Sequence, residues 1–344
     1  MQFGLYHIGE RPNRTPVEAW DDDLHEIVTA DEIGLHEVWI REHASLNGPM
    51  PFPEMFIAKA AALTRQIRIG SGRHLLLHDP LQVAGEGATC DQLIGGRYMF
   101  GYGPGGGNIE RLAGDQGSRI AKTLEYLDVI IRSWTAPDPF DYEGHFWSGK
   151  KINVLPRPLQ QPYPTTACAS ALPEAVEVAG REGHGVLFAD YEGPQFVRDT
   201  YAIYASAAEA AGRESSRRGF RICRFVYVTD SVEQARKELR DSLHHEIERE
   251  KRTLHHHFSE CMPPSGKIED ISFDFLVDAG YYFVGDADTV YQRVKALYDE
   301  VGGFGVFLLR AGADRATRDE RAQSMRLFME HVAPRLRELP SDAG

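Results

Sequence analysis

Long apolar segments are missing from this chain of 344 residues. No run approaches the roughly 20 apolar residues that a membrane-spanning helix requires. The first residues enter a strand-like pattern at once, without the basic and apolar regions of a signal peptide. These absences predict a soluble, cytoplasmic protein.

Paired cysteines and basic stripes are also missing. The four cysteines lie far apart without a CxxC pair, so free thiols in a reducing compartment are expected. Acidic residues outnumber basic ones by 51 to 38, for a formal net charge of −13, and no basic stripe is interleaved with aromatic residues. Nucleic acid is therefore not an expected partner. The charged stretches Asp21–Asp23 and Arg236–Arg252 are expected to be solvated helix faces.

Strand-like and helix-like segments alternate along the chain. Short apolar segments such as Ile67–Gly70 and Thr165–Cys168 alternate with amphipathic stretches such as Ile120–Trp134. Eight strand–helix units can be counted, the number that closes a TIM-like (β/α)8 barrel. A doubly wound open sheet shares the alternation and is the alternative. No linker-like composition divides the chain, so residues 1–344 are expected to form a single domain.

Two segments depart from this alternation. Residues 250–283 carry a Pro-Pro pair, three adjacent histidines and weak periodicity. Long irregular segments in compact domains often serve as lids, so we expect an insertion after the seventh strand that acts as one. The polar and aromatic segment Asp138–Val154 predicts a small hairpin.

Functional side chains of a (β/α)8 barrel gather where its strands end. After the second strand this rule selects His43, which could transfer a proton near neutral pH. A structural hydrogen bond explains this histidine equally well. After the third strand the rule selects Ser71, Gly72 and Arg73, where glycine permits unusual backbone geometry and the guanidinium could meet an anion or a flavin carbonyl. A salt bridge would also explain Arg73.

Glycines and small residues follow the next strands. Gly103 belongs to a GxGxxG match, but Pro104 interrupts it and no helix clearly begins on the third glycine, so the match is a weak signal. Arg119, just before a helix, and Ser170 with Ala171, just before another, are candidates to bind a phosphate. A surface ion pair and a simple N-cap are the alternatives for these residues.

His255, His256 and His257 raise the question of a metal ion. Adjacent histidines cannot easily converge on one ion, and neither an HExxH motif nor an acidic partner at ligand spacing accompanies them. No metal site is predicted.

The whole set of motifs, taken in order, resembles the bacterial luciferase-like family of flavin-dependent monooxygenases, and within it the limonene-monooxygenase-like branch. The resemblance is carried by MQFGLYHIG at the start, GLHEVWIREH (34–43), TRQIRIGSG (64–72), DPLQVAGEGATCDQLIGGRYMFGYGPG (79–105), LPRPLQQPYP (155–164) and VGDADTVYQRV (284–294). It spans nearly the whole chain and is weakest in the expected insertion.

The resemblance implies a TIM-like barrel that takes reduced FMN (FMNH2) from a separate NAD(P)H:flavin reductase. Oxygen would then form a C4a-peroxyflavin that oxygenates a small or medium organic substrate. His43 and Arg73 would be catalytic, and His43 falls on the family's active-site histidine. The segment Ser71–Arg73 falls on a turn that is often a non-proline cis peptide. The implied cofactor contacts are Ser71, Gly72, Gly103, Arg119, Ser170 and Ala171. A homodimer is implied as well.

The sequence also departs from the family. Arg73 and His74 stand where the family usually has small or apolar residues, which favours a substrate with a carbonyl, phenol or acid group. Gly103 stands where luciferase has a cysteine, so light emission is not expected. Three alternatives stay open: an F420-dependent oxidoreductase of the same fold, a non-catalytic flavin-binding protein, and a nicotinamide-dinucleotide enzyme suggested by the glycine match alone.

Overall fold

The computed structural model describes residues 1–11, 14–45, 48–105, 115–189, 191–253, 258 and 261–340. The strands are β1 (Gln2–Glu10), β2 (Glu37–Arg41), β3 (His43–Ser45), β4 (Gly48–Met50), β5 (Arg68–His74), β6 (Tyr98–Gly103), β7 (Phe140–Glu143), β8 (Ser148–Ile152), β9 (Thr165–Cys168), β10 (Gly185–Phe188), β11 (Phe220–Val228), β12 (Tyr282–Gly285) and β13 (Val306–Ala313).

The helices are α1 (Pro16–Glu32), α2 (Pro53–Leu63), α3 (Pro80–Leu93), α4 (Gln116–Thr135), α5 (Pro173–Glu182), α6 (Pro194–Ala210), α7 (Val232–Thr253), α8 (Phe273–Asp278), α9 (Ala287–Val301), α10 (Arg318–Leu327) and α11 (Ala333–Arg337). Their starts follow local capping chemistry. Thr15 caps α1 by accepting from the backbone N–H of Glu18, whose carboxylate accepts from the backbone N–H of Thr15.

The long sheet has the strand order β10-β9-β6-β5-β2-β1-β13-β11-β12, and β10 also pairs with β11. Eight parallel strands thus close into a TIM-like (β/α)8 barrel with β12 added beside β11, which confirms the predicted fold and excludes an open sheet. Two antiparallel pairs, β3 with β4 and β7 with β8, lie outside this sheet. The second pair is the predicted hairpin.

The chain divides into two compact units. The first unit comprises residues 1–36, 187–202 and 216–344, and the second comprises residues 37–186 and 203–215. All candidate catalytic and cofactor-binding residues named from the sequence belong to the second unit.

The indole ring of Trp39 determines where the strands of the second unit need glycine. Trp39 is fully buried and donates from Nε1 to the carboxylate of Glu37 at 2.7 Å. A Cβ on Gly70 would lie 2.6 Å from this ring. A Cβ on Gly101 would lie 3.0 Å from the ring and 2.7 Å from the carbonyl oxygen of Ser71. Side chains at both glycines would therefore collide with fixed atoms.

The third barrel strand, β5, is longer than its sequence pattern predicts. It runs to His74, whereas the apolar pattern ends at Gly70. Its parallel register with β6 continues through Gly72↔Gly101 to His74↔Gly103, and its register with β2 reaches Arg41↔Gly72. Neighbouring strands on both sides supply the backbone hydrogen bonds, so the polar residues after Gly70 remain extended.

Buried charges connect α1 to strand ends in the first unit. Arg11 donates to Asp23 and to Glu26, each at 2.7 Å, and Glu26 also accepts from the backbone N–H of Gly312 at 2.9 Å. Burial alone would raise the pKa of Glu26, but Arg11 and Arg321 lower it to about 2. Asp22 and Asp23 are buried, so the prediction of a solvated face at Asp21–Asp23 is wrong for these two residues.

The expected insertion contains regular structure. Residues 250–283 include the end of α7, all of α8 and the start of β12. Apolar side chains from this region, among them Phe258, Ile271 and Leu276, are buried in one cluster with residues of α7. Its function as a lid stays a prediction.

His184, which precedes β10, is a buried histidine held by two tyrosines. The hydroxyl of Tyr102 lies 3.2 Å from its Nδ1, and the hydroxyl of Tyr163 lies 3.2 Å from its Nε2. Burial lowers the pKa of His184 to about 4, and the nearby Arg213 guanidinium acts in the same direction. The folded chain therefore holds this imidazole in its neutral form.

We predict that Gly101→Ala lowers the free energy of unfolding by about 1–3 kcal/mol, because the added Cβ meets Trp39 and a strand carbonyl. Gly85→Ala in α3 is the matched control, since its Cβ would have Val154 at 3.8 Å as its nearest contact. The control should be neutral or slightly more stable than wild type. Urea unfolding of both variants measures this, and equal stabilities would contradict the packing described.

We predict that His184 makes the protein less stable in mild acid. The unfolded chain binds a proton near pH 6.5, whereas folded His184 binds one only near pH 4. Stability is therefore complete above pH 6.5 and falls as the pH drops toward 4. Between pH 7 and pH 4.5 the loss in wild type should exceed that in His184→Phe by about 2–3 kcal/mol.

Urea unfolding at the two pH values tests this prediction. Exposed His145, changed to Gln, is the control and should retain the wild-type pH dependence. Parallel pH profiles for wild type and His184→Phe would refute the assignment.

Candidate active site

The carboxyl ends of four neighbouring strands meet at one edge of the second unit. The backbone N–H of Glu42, after β2, donates to the carbonyl of Gly72 in β5 at 3.0 Å. The backbone N–H of Ala169, after β9, donates to the carbonyl of Tyr102 in β6 at 2.8 Å. Because β5 also pairs with β6, the ends of β2, β5, β6 and β9 are adjacent. The candidate residues at the ends of these strands lie along this edge.

The side chains of β5 alternate between two faces. Gly72 belongs to the face that carries Gly70, beside Trp39. Ser71 and Arg73 belong to the opposite face, where the Ser71 hydroxyl lies 2.6 Å from the hydroxyl of buried Tyr98. Two residues expected to contact a flavin therefore direct their side chains away from the Gly72 face.

Arg73 is buried among three carboxylates. Its guanidinium contacts Glu54 and lies 3.2 Å from Glu86 and 3.4 Å from Glu42. Burial alone would lower the pKa of Arg73, but Glu54 and Glu42 raise it, so the guanidinium remains charged. We call Arg73, Glu42, Glu54 and Glu86 the Arg73 cluster. Within this cluster the arginine already has more than one carboxylate to balance its charge.

The carboxylates of the Arg73 cluster also accept hydrogen bonds from other side chains. His78 Nε2 lies 2.6 Å from Glu42, the Tyr98 hydroxyl donates to Glu54 at 3.0 Å, and the Gln82 amide donates to Glu86 at 2.7 Å. Burial and the charge of Glu54 raise the pKa of Tyr98 well above its ordinary value, which keeps it a donor. Each of the three carboxylates thus has a partner besides Arg73.

Sequence analysis did not identify Glu54, Glu86, His78 or Tyr98 as parts of this cluster. The available signal was weak. Glu54 and Glu86 are acidic residues on α2 and α3, helices whose other residues are mostly apolar or small, which is a hint that they face a buried cation. Nothing in the sequence indicates that this cation is Arg73.

The backbone of His43 begins β3, and it pairs with Met50 of β4 in the antiparallel register. His43 directly follows Glu42, whose carboxylate is held by Arg73 and His78. The residue just before His43 is therefore held in place by its side chain. The side chain of His43 lies outside the described part of the structure.

Gly72 has room for a Cβ on the face opposite Arg73. A Cβ at this position would have the carbonyl oxygen of Ile40 at 3.7 Å and the Cα of Arg41 at 3.8 Å as its nearest atoms. Gly103 differs, because its Cβ would lie 2.8 Å from the carbonyl oxygen of Ala169. Strand packing thus requires glycine at 103, whereas a Cβ at Gly72 would meet its neighbours only at ordinary contact distance.

The predicted phosphate contacts lie at the starts of two neighbouring helices, α4 and α5. Ser170 Oγ accepts from the backbone N–H of Leu172 at 3.3 Å, and no side chain caps α5 at Leu172. Ala171 lies between these residues and is half-buried. Arg119 is buried in the first turn of α4 and donates from Nη1 to the carbonyl of Gly105 at 3.4 Å. The uncapped start of α5 suits an anionic group.

FMN, the cofactor implied by the resemblance, fits this arrangement. Its ring system needs a surface that a backbone can approach closely, which Gly72 offers, and its phosphate needs donors, which the start of α5 offers. The expected cis peptide within Ser71–Arg73 is absent. The cis bonds of the described residues precede Pro156 and Pro162, and the regular pairing of β5 explains its trans backbone.

No helix in the described ranges is long and apolar enough to cross a bilayer. Within the same ranges, no three His, Cys, Asp or Glu side chains come together in an arrangement that could hold a metal ion. His255, His256 and His257 lie outside the described residues.

We predict that Arg73→Met destabilises the fold by about 3–5 kcal/mol, because it leaves Glu42, Glu54 and Glu86 without their shared cation. Arg132→Met is the control, since Arg132 forms an exposed pair with Asp128. The control should change stability by about 0.5 kcal/mol or less. Urea unfolding near neutral pH compares them, and a stable Arg73→Met variant would show that the cluster is not a structural anchor.

Comparison with known proteins identifies the family to which this chain belongs. Residues 1–303 match the luciferase-like monooxygenase family. The 4-hydroxyprotoasukamycin monooxygenase of Streptomyces nodosus subsp. asukaensis is 31% identical to this chain, over 96% of this chain and 90% of that protein. Limonene 1,2-monooxygenase of Rhodococcus erythropolis is 28% identical, over 92% of this chain and 81% of that protein.

A solved structure supports the same relationship. The oxygenating constituent of 3,6-diketocamphane monooxygenase from Pseudomonas putida, a type II Baeyer–Villiger monooxygenase in complex with FMN, matches with a TM-score of 0.85. The two chains are 25% identical, and the match covers 99% of this chain and 100% of the other. The fold, the ordered motifs and these matches agree: the chain belongs to the luciferase-like monooxygenase family.

Proposed function

We propose that this protein is the oxygenating component of a two-component system. It would use reduced FMN, supplied by a separate NAD(P)H:flavin reductase, and O2 to oxygenate a small or medium organic substrate. The observation that carries the proposal is the open backbone at Gly72, at the edge where β2, β5, β6 and β9 end. The related structure, described as an oxygenating constituent in complex with FMN, supports both the cofactor and the separate reductase.

Different parts of this edge would hold different parts of the cofactor. The backbone at Gly72 would contact the ring system, and Gly103 would support this edge through its close packing against Ala169. The start of α5, with Ser170 and Ala171, would hold the phosphate. Arg119 would support this end by fixing the segment at Gly105. Reduced FMN, when bound, supplies the electrons that activate O2.

His43 would act as the acid or base beside the ring system. A histidine suits this role because it gains and loses a proton near neutral pH. Glu42, held by Arg73 and His78, fixes the backbone from which His43 projects. Arg73, expected from the sequence to be catalytic, acts in this proposal as a positioning residue. Ser71 likewise supports the strand through Tyr98.

Apolar surface on the second unit supports a homodimer. Met55 of α2 and Leu93 of α3 are 75% and 71% exposed, and Leu63 of α2 is also exposed. Surface of this kind favours contact with another protein. A second copy of this chain is the partner we propose for it.

An anaerobic titration tests the proposed cofactor and reaction. Reduced FMN should bind tightly, and mixing the complex with O2 and a carbonyl- or phenol-containing substrate should yield a product with one added oxygen atom. Reduced F420 under the same conditions should bind weakly, because the chain is acidic and that cofactor carries a polyglutamate tail. Tight binding of F420 with hydride transfer would support the alternative enzyme, and flavin binding without turnover would support a binding protein.

We predict that His43→Asn lowers the rate of substrate oxygenation by about 100-fold or more, the usual effect of losing an acid–base group. Affinity for reduced FMN should change little, because the proposed flavin contacts are backbone atoms and the α5 start. His145→Asn changes an exposed histidine of the hairpin and should retain wild-type turnover. Product formed per reduced flavin measures the effect, and unchanged turnover in His43→Asn would remove this histidine from the mechanism.

A further inference from the structure

A small cavity lies in the first unit, between the ends of β11 and β13 and the helix α10. Its volume is about 40 Å³, which is more than one ordered water needs. The lining residues used below are Leu5, Glu26, Phe225, Arg315, Ser324 and Met325. We call this space the Arg315 cavity. Its lining residues all belong to the first unit, whereas the residues of the candidate active site belong to the second.

Arg315 brings an unsatisfied donor to this cavity. The side chain is 3% exposed, and its Nε donates to Glu246 at 2.5 Å while Nη2 contacts the same carboxylate. The remaining nitrogen, Nη1, is buried and has no hydrogen-bond partner. A buried guanidinium N–H without an acceptor is costly, so an acceptor is expected beside it.

Ser324 provides a second donor. Its Oγ accepts from the backbone N–H of Val228 at 2.8 Å, which leaves the hydroxyl proton to be donated. The carboxylate that lines the cavity, Glu26, is already engaged by Arg11, by Arg321 and by the backbone of Gly312. The lining residues therefore offer hydrogen-bond donors, while the carboxylate of Glu26 is already bonded to other residues.

This pattern distinguishes an anion from water. A buried water donates two hydrogen bonds and needs acceptors for them, whereas an anion needs only donors. Arg310 and Arg321 also line the cavity, and they are paired with Glu250 and Glu26. Leu5, Phe225 and Met325 supply apolar walls, which suit a weakly hydrated monovalent ion better than a strongly hydrated one.

We propose that the Arg315 cavity binds a small monovalent inorganic anion of the chloride class through Arg315 Nη1 and the Ser324 hydroxyl. The ion connects the segment after β13 with α10, and α10 already holds the end of β11 through the bond from Val228 to Ser324. Because only the folded chain forms the cavity, bound anion stabilises the native state. The site does not depend on the proposed oxygenase function.

Bromide is the probe for this site, since its anomalous scattering identifies it in crystals. Crystals of the wild-type protein grown without chloride and soaked in sodium bromide should show an anomalous peak within hydrogen-bonding distance of Arg315 Nη1. A peak only at the protein surface, or a water in the cavity with no anomalous signal, would overturn the proposal.

A measurement in solution tests binding without the high bromide concentration of a crystal soak. At constant ionic strength, replacing gluconate by chloride should raise the melting temperature of wild type with a saturable dependence. Arg315→Lys keeps the charge and the pairing with Glu246 but loses the second nitrogen, and it should weaken chloride binding by about tenfold or more.

Arg318→Lys is the matched control, because Arg318 pairs with Asp21 and Asp22 and does not line the cavity. It should retain the wild-type chloride response. The proposal is overturned if wild type shows no saturable response, or if Arg315→Lys and Arg318→Lys respond alike.

Discussion

A single buried guanidinium, that of Arg73, determines how the candidate active site is arranged. Three carboxylates from three different segments converge on it, and each has a further donor in His78, Tyr98 or Gln82. Removing such a cation would leave buried negative charge uncompensated, so the cluster fixes the end of β5 against α2 and α3. Because Arg73 and Ser71 occupy one face of the strand, the face at Gly72 is left with bare backbone. We propose this face as the place where a flat ligand binds.

The barrel and the strands that carry the candidate site could be predicted from the sequence, because both depend on local patterns. Apolar segments of strand length alternate with amphipathic ones, and the strand Thr165–Cys168 ends where the pattern ends. The end of β5 could not be predicted in this way. Residues 71–74 carry no apolar pattern, and they are extended because β6 pairs with all four of them and β2 with Ser71 and Gly72. The partners of Arg73 could not be predicted from the sequence either, because Glu42, Glu54 and Glu86 come from separate segments that meet only in the folded chain.

For parts of the charged helices α1 and α7, the prediction of a solvated face was wrong. Asp22 and Asp23 of α1 and Glu246 of α7 belong to stretches that resemble solvated faces, yet all three are buried. Arginines from distant segments, Arg11, Arg318 and Arg315, neutralise them, and Arg315 lowers the pKa of Glu246 against the opposing effect of burial. A charge pattern along one helix cannot indicate whether such partners exist. Both units thus use buried arginines to fix strand ends, and in the first unit one such arginine has a nitrogen left over for an anion.

The central claim is that the bare backbone at Gly72 is the surface on which the flavin ring lies. The most direct test is the dissociation constant of reduced FMN for Gly72→Leu, measured anaerobically. The backbone at this position accepts a side chain, and the nearest atoms lie at ordinary contact distance, so the variant should fold. The account predicts that the leucine side chain fills the ligand's place and weakens FMN binding by about 100-fold. A folded Gly72→Leu variant that binds reduced FMN as tightly as wild type would contradict it.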